Sequence, residues 1–401
     1  MWKIISTAAA VLMILSCSPS KQDPRLVQRI QNIENGLEEF NPGPPDPAKI
    51  PQKMNLADRM AVHKIPGVSI AVIDGNKIEW AKSYGVLKAD SPAPVTTESI
   101  FQAASTTKML VAAIVLHYVG KGLLDLDRDV NTYLKSWTIP ENDLTKEKKV
   151  TLRLIMTHQS GLPMTNFDYD DGPPPSIVQV LKAEPPARNN PAVVGFAPGS
   201  KWQYSNIGYV AIQLLLQDMT GRSLDDLMRD VIFKPLKMKS STLVYPLAAG
   251  LREKEAFPHD VEGKPGVPGL HPTAQAQGGL LTTPSDLALF VIELMRAYRG
   301  ESDLILTQDM ARTMLRPELD LDPSLLGVPL RMGLGVILSA EGAPFSFGHP
   351  GDNLPGASSW NMGYPELETG IVIMTNGAKG NLLAMEIMPA FVNEYVAAKG
   401  R

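Results

Sequence analysis

The chain has 401 residues, 44% of them hydrophobic, with 38 basic side chains against 42 acidic ones and a net charge of -4. That length supports a large core or two lobes. The mild acidity, with no basic stripe, excludes an electrostatic case for binding nucleic acid. The single cysteine excludes an internal disulfide, and the 34 prolines point to ordered loops and a structured linker rather than low complexity.

The first 17 residues, MWKIISTAAAVLMILSC, run from a lysine through a short apolar stretch to small Ser16 and then Cys17. The apolar part is too short for a comfortable transmembrane helix. The pattern resembles a bacterial lipoprotein signal peptide over residues 1–17, with Cys17 as the lipidation site. A secretory leader with a chance cysteine is the alternative. The resemblance implies a body anchored through lipid in the bacterial cell envelope, facing the periplasm or the exterior.

Residues 18–53 are expected to form a tether. Within it, PRLVQRIQNIENGLEEF places Leu26, Ile30, Ile33, Leu37 and Phe40 at alternating spacings of four and three, which predicts an amphipathic helix packed onto the main body. NPGPPDPAKIPQ then breaks the helix and suggests a stiff linker.

The folded domain is expected over 54–401. GVSIAVI, then Asp74-Gly75-Asn76, then KIEWAKSYGV predict a hairpin around a tight turn. SIFQAASTTKMLVAAIVLHYVG follows and contains an apolar helix. Residues 121–260 are mainly helix and loop, including SLDDLMRDVIF capped by Ser223. A second capped helix begins near Thr283-Pro284-Ser285. MGLGVIL, SSWNMGY and ETGIVIMTNG return to strand, and NLLAMEIMPAFVNEYVAA closes the chain as helix. Strands at both ends with helices between them predict an α+β fold, one sheet built from the two ends with an inserted helical lobe.

Three short elements carry chemistry. Ser105 and Lys108 lie three apart on a helix, so they share a face about 5–6 Å apart. The run Met109–Leu116 is apolar nearly all round, which places the lysine in a buried setting. Desolvation there lowers its pKa and makes the amine a candidate base for the serine. The alternative is Ser105 as a helix cap with Lys108 reaching to the surface. The same spacing at Ser18–Lys21 has neither helix nor core and carries no weight. In the second element, Tyr204 is followed two residues on by Asn206, ahead of another apolar helix. A phenol beside a lysine can shuttle a proton and an amide can hold a substrate carbonyl, although Ser205 and Asn206 also suit a cap. In the third, His349-Pro350-Gly351 precedes strand-like residues. Gly351 would let a substrate backbone approach, and His349 could present a positive charge to a substrate carboxylate. A turn with a structural histidine is the bland reading. Lys264-Pro265-Gly266 competes for this role but sits in what reads as a loop tip.

Taken together, the order and spacing resemble the serine β-lactamase and penicillin-binding-protein superfamily, whose signature is S-x-x-K, then S-D-N or Y-x-N, then K-T-G or H-x-G. The Y-x-N and H-x-G forms resemble the branch of class C β-lactamases, D-alanyl-D-alanine carboxypeptidases, D-aminopeptidases and related esterases. Further similarity runs through PGVSIAVIDGNKIEWAKSYG, IMTHQSGLP, FAPGSKWQYSN, IFKPLKM and QGGLLTTPSDLALF, from about Met54 to Tyr395. The resemblance implies a helix-flanked antiparallel sheet plus a helical lobe, with the site in the cleft between them. It implies Ser105 as acylated nucleophile, Lys108 and Tyr204 as its proton partners with the base unassigned between them, and Asn206 as holder of the substrate amide. His349 would face the substrate carboxylate, and the backbone N–H groups of Ser105 and Asp352, which follows Gly351, would form the oxyanion hole. Two departures stand out. Pro350 replaces the usual threonine, and histidine replaces the usual lysine, which suits a peptidase or esterase better than an efficient β-lactamase.

The implied function is a serine hydrolase acting through an acyl-enzyme on a D-peptide, β-lactam or ester, with a small molecule or cell-wall peptide as substrate. The alternative is a penicillin-binding or sensor protein that is acylated and turns over poorly. Neither metal nor cofactor is expected. The six histidines are scattered, and Asp168, Asp170 and Asp171 read as a solvated loop. With histidine titrating near 6.5, the penicillin-to-ester ratio of kcat/KM is expected to fall between roughly pH 6 and 8.

Overall fold

The computed structural model describes residues 23–40, 52–325 and 328–399. Cys17 and the proline-rich 41–51 segment lie outside the described residues.

Among the described residues eleven strands occur in chain order: β1 Gly67–Asp74, β2 Lys77–Gly85, β3 Phe101–Gln102, β4 Leu281–Thr282, β5 Leu319–Leu321, β6 Leu330–Met332, β7 Ile337–Ser339, β8 Phe347–Gly348, β9 Gly351–Asn353, β10 Ala357–Tyr364 and β11 Thr369–Thr375. Nine form one antiparallel sheet in the order β2-β1-β11-β10-β8-β7-β6-β5, with β9 beside β10. β3 and β4 make a separate short pair. The sheet therefore joins the two ends of the domain, and no named strand falls between 121 and 260. The fold is α+β, a helix-flanked antiparallel sheet with helices and loops inserted between its halves.

Alternation decides how the central strands are covered. On β1, Ala71 and Ile73 face one core while Val68, Ile70 and Val72 face the other. On β11, Val372 and Met374 oppose Ile371 and Ile373 in the same way. A strand has a side-chain period of two, so such runs are apolar on both faces only when helices cover both. The Pro284–Arg299 helix covers one face, and the Gly380–Phe391 helix covers the other with Leu56–His63. The β1–β2 hairpin turns at Gly75 and Asn76, both with positive φ (58° and 57°), the backbone of a two-residue hairpin loop that matches strand twist.

The amphipathic helix of the N-terminal segment packs on this second face, with Ile33 and Leu37 fully buried. It runs over Pro24–Glu34 and stops short of the predicted Phe40. The reason is local: Asn35 caps the helix and a Cβ on Gly36 would sit 2.3 Å from the Asn32 carbonyl oxygen, so the chain turns away. Leu37 then bridges to Met54. Arg29 fixes the helix from outside, contacting Asp74 at 3.0 Å and Glu79 at 2.6 Å and lying over the Tyr395 ring.

At the centre of the other half lies the Thr107–Gly120 helix, whose residues 107–116 are all buried. Leu152–Met156, Asn206–Thr220 and Leu224–Met228 surround it. A helix apolar all round can only be a core helix, and it carries the start of the site at its head.

Candidate active site

Ser105 sits in a single 3-10 turn, Ala104–Thr106, that runs straight into the Thr107–Gly120 helix. Ala104 before it has φ of +48°, a backbone an alanine adopts at a cost of order 1–3 kcal/mol when its surroundings impose it. The imposition is visible. Thr106 donates to the His349 carbonyl at 2.7 Å, Ser359 donates to the Ala103 carbonyl at 2.6 Å, and Asn361 donates to the His349 carbonyl at 2.7 Å. These bonds lock the serine turn to the strand edge that carries the third motif.

Lys108 is fully buried, and its Nζ lies 3.1 Å from Ser105 Oγ and 2.5 Å from the Gln277 carbonyl oxygen. No carboxylate pairs with it among the described residues. Desolvation therefore pushes the amine well below its ordinary 10.5, toward the uncharged form that can accept a proton. Tyr204 lies beside both, with Lys108 Nζ 5.0 Å from its ring centre. Burial raises its phenol above the ordinary value, against a smaller opposing effect of the Ser105 hydroxyl, so the phenol keeps its proton. Burial thus moves the two groups in opposite directions, the lysine down and the tyrosine up.

Asn206 opens the Asn206–Thr220 helix, while Ser205 takes the cap by accepting from the Gly208 N–H at 3.1 Å. That division frees Asn206 for the cleft. Its amide donates to the Thr165 carbonyl at 3.3 Å, and its buried Oδ1 has no partner among the described residues. Ser105, Tyr204, Asn206, His349, Gly351 and Asp352 all line one cavity of about 550 Å³, with Lys108 beneath Ser105. The competing Lys264–Gly266 does not line it. Met164, Phe167 and Trp202 supply apolar wall, as do Leu321, Met332, Ile337 and Leu354.

Two expectations are corrected. His349 is not a titrating cation: it is 3% exposed, and burial pushes its pKa down to about 3. Its Nδ1 lies 2.7 Å from the Pro350 carbonyl, an acceptor only, so Nδ1 holds the proton of a neutral ring. The Gly351 expectation changes too. A Cβ there would fall 2.2 Å from the Ala103 carbonyl oxygen, so the close approach that requires a glycine is that of the serine turn. Asp352 accepts from the Ser358 hydroxyl at 2.9 Å.

Sequence reasoning assigned no role to Gln277, Thr106, Asn361 or His158. Gln277 and His158 fall inside stretches that matched the superfamily pattern, QGGLLTTPSDLALF and IMTHQSGLP. Thr106 and Asn361 act through contacts more than 240 positions apart in the chain, for which no local signal exists. Among the described residues no group of His, Cys, Asp and Glu is placed to hold a metal ion, and no helix is long and apolar enough to cross a membrane.

The β-lactamase family model matches residues 53–387. The chain belongs to the β-lactamase family. Penicillin-binding protein 4 of Amycolatopsis lactamdurans is 30% identical over 237 residues, covering 57% of this chain and 59% of that protein. The N-acetylmuramyl-L-alanine amidase of Bacillus subtilis (strain 168) is 28% identical over 217 residues, 51% of this chain and 49% of that one. The chain thus spans about half the length of these curated relatives. The octameric penicillin-binding protein homologue from Pyrococcus abyssi superposes with a TM-score of 0.70 at 22% identity, covering 84% of this chain and 76% of that one. At that identity the likeness is one of fold.

Proposed function

We propose that this β-lactamase-family protein is a serine hydrolase that works through an acyl-enzyme on a D-peptide, β-lactam or ester. The observation that carries the reading is the buried Lys108 amine, 3.1 Å from Ser105 Oγ with no carboxylate among the described residues to keep it charged. In the first half-reaction Lys108 takes the Ser105 proton as Oγ attacks the acyl carbon. The tetrahedral oxyanion is held by the backbone N–H groups of Ser105 and Asp352. The leaving group departs with a proton passed through the Lys108–Tyr204 pair. Water then repeats the sequence on the ester and frees Ser105. Asn206 holds an amide of the substrate, and the apolar walls hold its side groups.

Among the described residues no lysine or arginine lines the cavity, and burial holds His349 neutral. Both features favour acyl substrates without a carboxylate, neutral esters and amides, over penicillins. For location, the Cys17 pattern supports a lipid-anchored protein of the cell envelope.

The test is covalent labelling. A fluorophosphonate probe should attach at Ser105 and nowhere else, and Ser105→Ala should abolish the label. Labelling that persists in Ser105→Ala would overturn the assignment.

A further inference from the structure

We infer that His158 is the positioning residue that sets Tyr204 against Ser105, holding both the backbone and the ring of that tyrosine. The inference rests on the reading of Ser105 and Tyr204 as catalytic.

His158 belongs to the turn that ends the short Leu152–Met156 helix, and it is buried. Its carbonyl accepts the Gln203 N–H at 2.8 Å, and its ring Nδ1 accepts the Ser205 N–H at 3.1 Å. These are the N–H groups of the residues on either side of Tyr204. The imidazole itself lies against the phenol ring, centroids 4.2 Å apart and planes 35° apart. One residue therefore fixes where the Tyr204 backbone runs and where its ring rests.

The surrounding geometry fits that task. Tyr204 lies in an extended segment just ahead of the Asn206–Thr220 helix, so no helical ladder holds its own peptide. Trp202 meets the imidazole edge-on at 6.1 Å and 85°, and Tyr209 lies 5.7 Å away, so the ring is wedged among three aromatics. His158 has φ of +59°, the left-handed backbone that histidine and asparagine tolerate better than most residues. This backbone lets the carbonyl and the ring reach the same strand of chain. Nδ1 can accept only when unprotonated, and burial holds the imidazole neutral by pushing its pKa well below 6.5. The proton then resides on Nε2, which is buried without a partner among the described residues.

The experiment is a double-mutant cycle read by the rate of Ser105 labelling with a fluorophosphonate and by kcat and KM for p-nitrophenyl butyrate. His158→Gly suits the positive φ and removes both the acceptor and the ring, while His158→Asn keeps an acceptor near the position of Nδ1. In the parent, His158→Gly should lower kcat about 10- to 100-fold with KM nearly unchanged, and in a Tyr204→Phe background the same change should cost less than about threefold. His158→Asn should recover most of the loss. Should the glycine chain fail to fold by circular dichroism, His158→Ala is read in the same cycle. An equal loss in both backgrounds, or none in the parent, would overturn the inference. Loss of all specific labelling, or labelling that survives Ser105→Ala, would instead overturn the catalytic reading.

Discussion

The charge state of His349 makes a quantitative prediction. The family resemblance implies that a cation at this position would meet a substrate carboxylate, yet burial holds the His349 pKa down to about 3. Charging it at pH 7 costs about 5 kcal/mol, at 1.36 kcal/mol for each unit between that pKa and the ambient pH. A substrate carboxylate 4 Å away returns about 4 kcal/mol at an effective dielectric of 20. The ring therefore stays neutral in the complex as well as in the free protein. The perturbation is pH, and the assay is the ratio of kcat/KM for benzylpenicillin to that for p-nitrophenyl butyrate. Both substrates depend on Ser105 and Lys108, so the titration of those groups cancels in the ratio. The ratio should stay constant within about twofold from pH 6 to 8, because the buried His349 ring gains little charge over that interval. A tenfold fall over that interval would refute the reasoning. It would show that a bound carboxylate overcomes the burial of the imidazole and that His349 acts as a switchable cation.

Two further outcomes are expected. Ser105→Ala should lower hydrolysis of p-nitrophenyl butyrate by several orders of magnitude, as loss of a nucleophile does elsewhere, and a residual rate near that of the parent would place the reaction at another residue. Cys17→Ala should move the protein out of the detergent phase on phase partitioning, whereas unchanged partitioning would contradict a lipid anchor.

Much of the fold was legible because its signals are local. GVSIAVI and ETGIVIMTNG announce strands buried on both faces, since neither run offers a polar side to water. The apolar run after Lys108 announces a core helix for the same reason. The three motifs were legible as residues, and the structure brings them to one cavity. What was not legible depends on contacts across the chain. The charge of His349 is set by how deeply the fold buries it beside Lys108, and no pattern of neighbours in sequence encodes that depth. The use of Gly351 depends on the Ala103 carbonyl lying 2.2 Å from where its Cβ would be. The carbonyl that holds Lys108 belongs to Gln277, 169 positions away. The histidine that holds Tyr204 is 46 residues upstream of it, in a turn whose positive φ has no signature of its own. Burial, close approach and long-range pairing are properties of the packed chain, so they enter only once packing is known.

The burial that would let Lys108 act as the proposed base also makes it a liability, and the two can be read from one measurement. In the unfolded chain Lys108 titrates near 10.4, while in the folded protein its pKa lies well below that. Between those two values the unfolded chain holds one more proton than the folded one. Stability therefore rises with pH over that interval, by about 1.4 kcal/mol per unit from this residue alone. Lys108→Met, similar in length and uncharged, removes the slope. The methionine chain should gain on the parent as pH falls from pH 9 to pH 7 in urea unfolding, by about 1.4 kcal/mol for each unit over which the folded amine is uncharged. The substitution also leaves the Gln277 carbonyl without its donor, at a cost of order 1–3 kcal/mol. That cost is the same at both pH values, so it shifts the comparison without changing the slope. His158, His271 and His349 are all lowered from 6.5 in the folded protein, so above pH 7 they are mostly unprotonated in both the folded and the unfolded chain and add little to the slope. Unfolding curves that keep a constant separation from pH 9 to pH 7 would mean that Lys108 is still protonated in the folded state throughout. An ammonium there cannot accept the Ser105 proton, and the base would then have to be Tyr204.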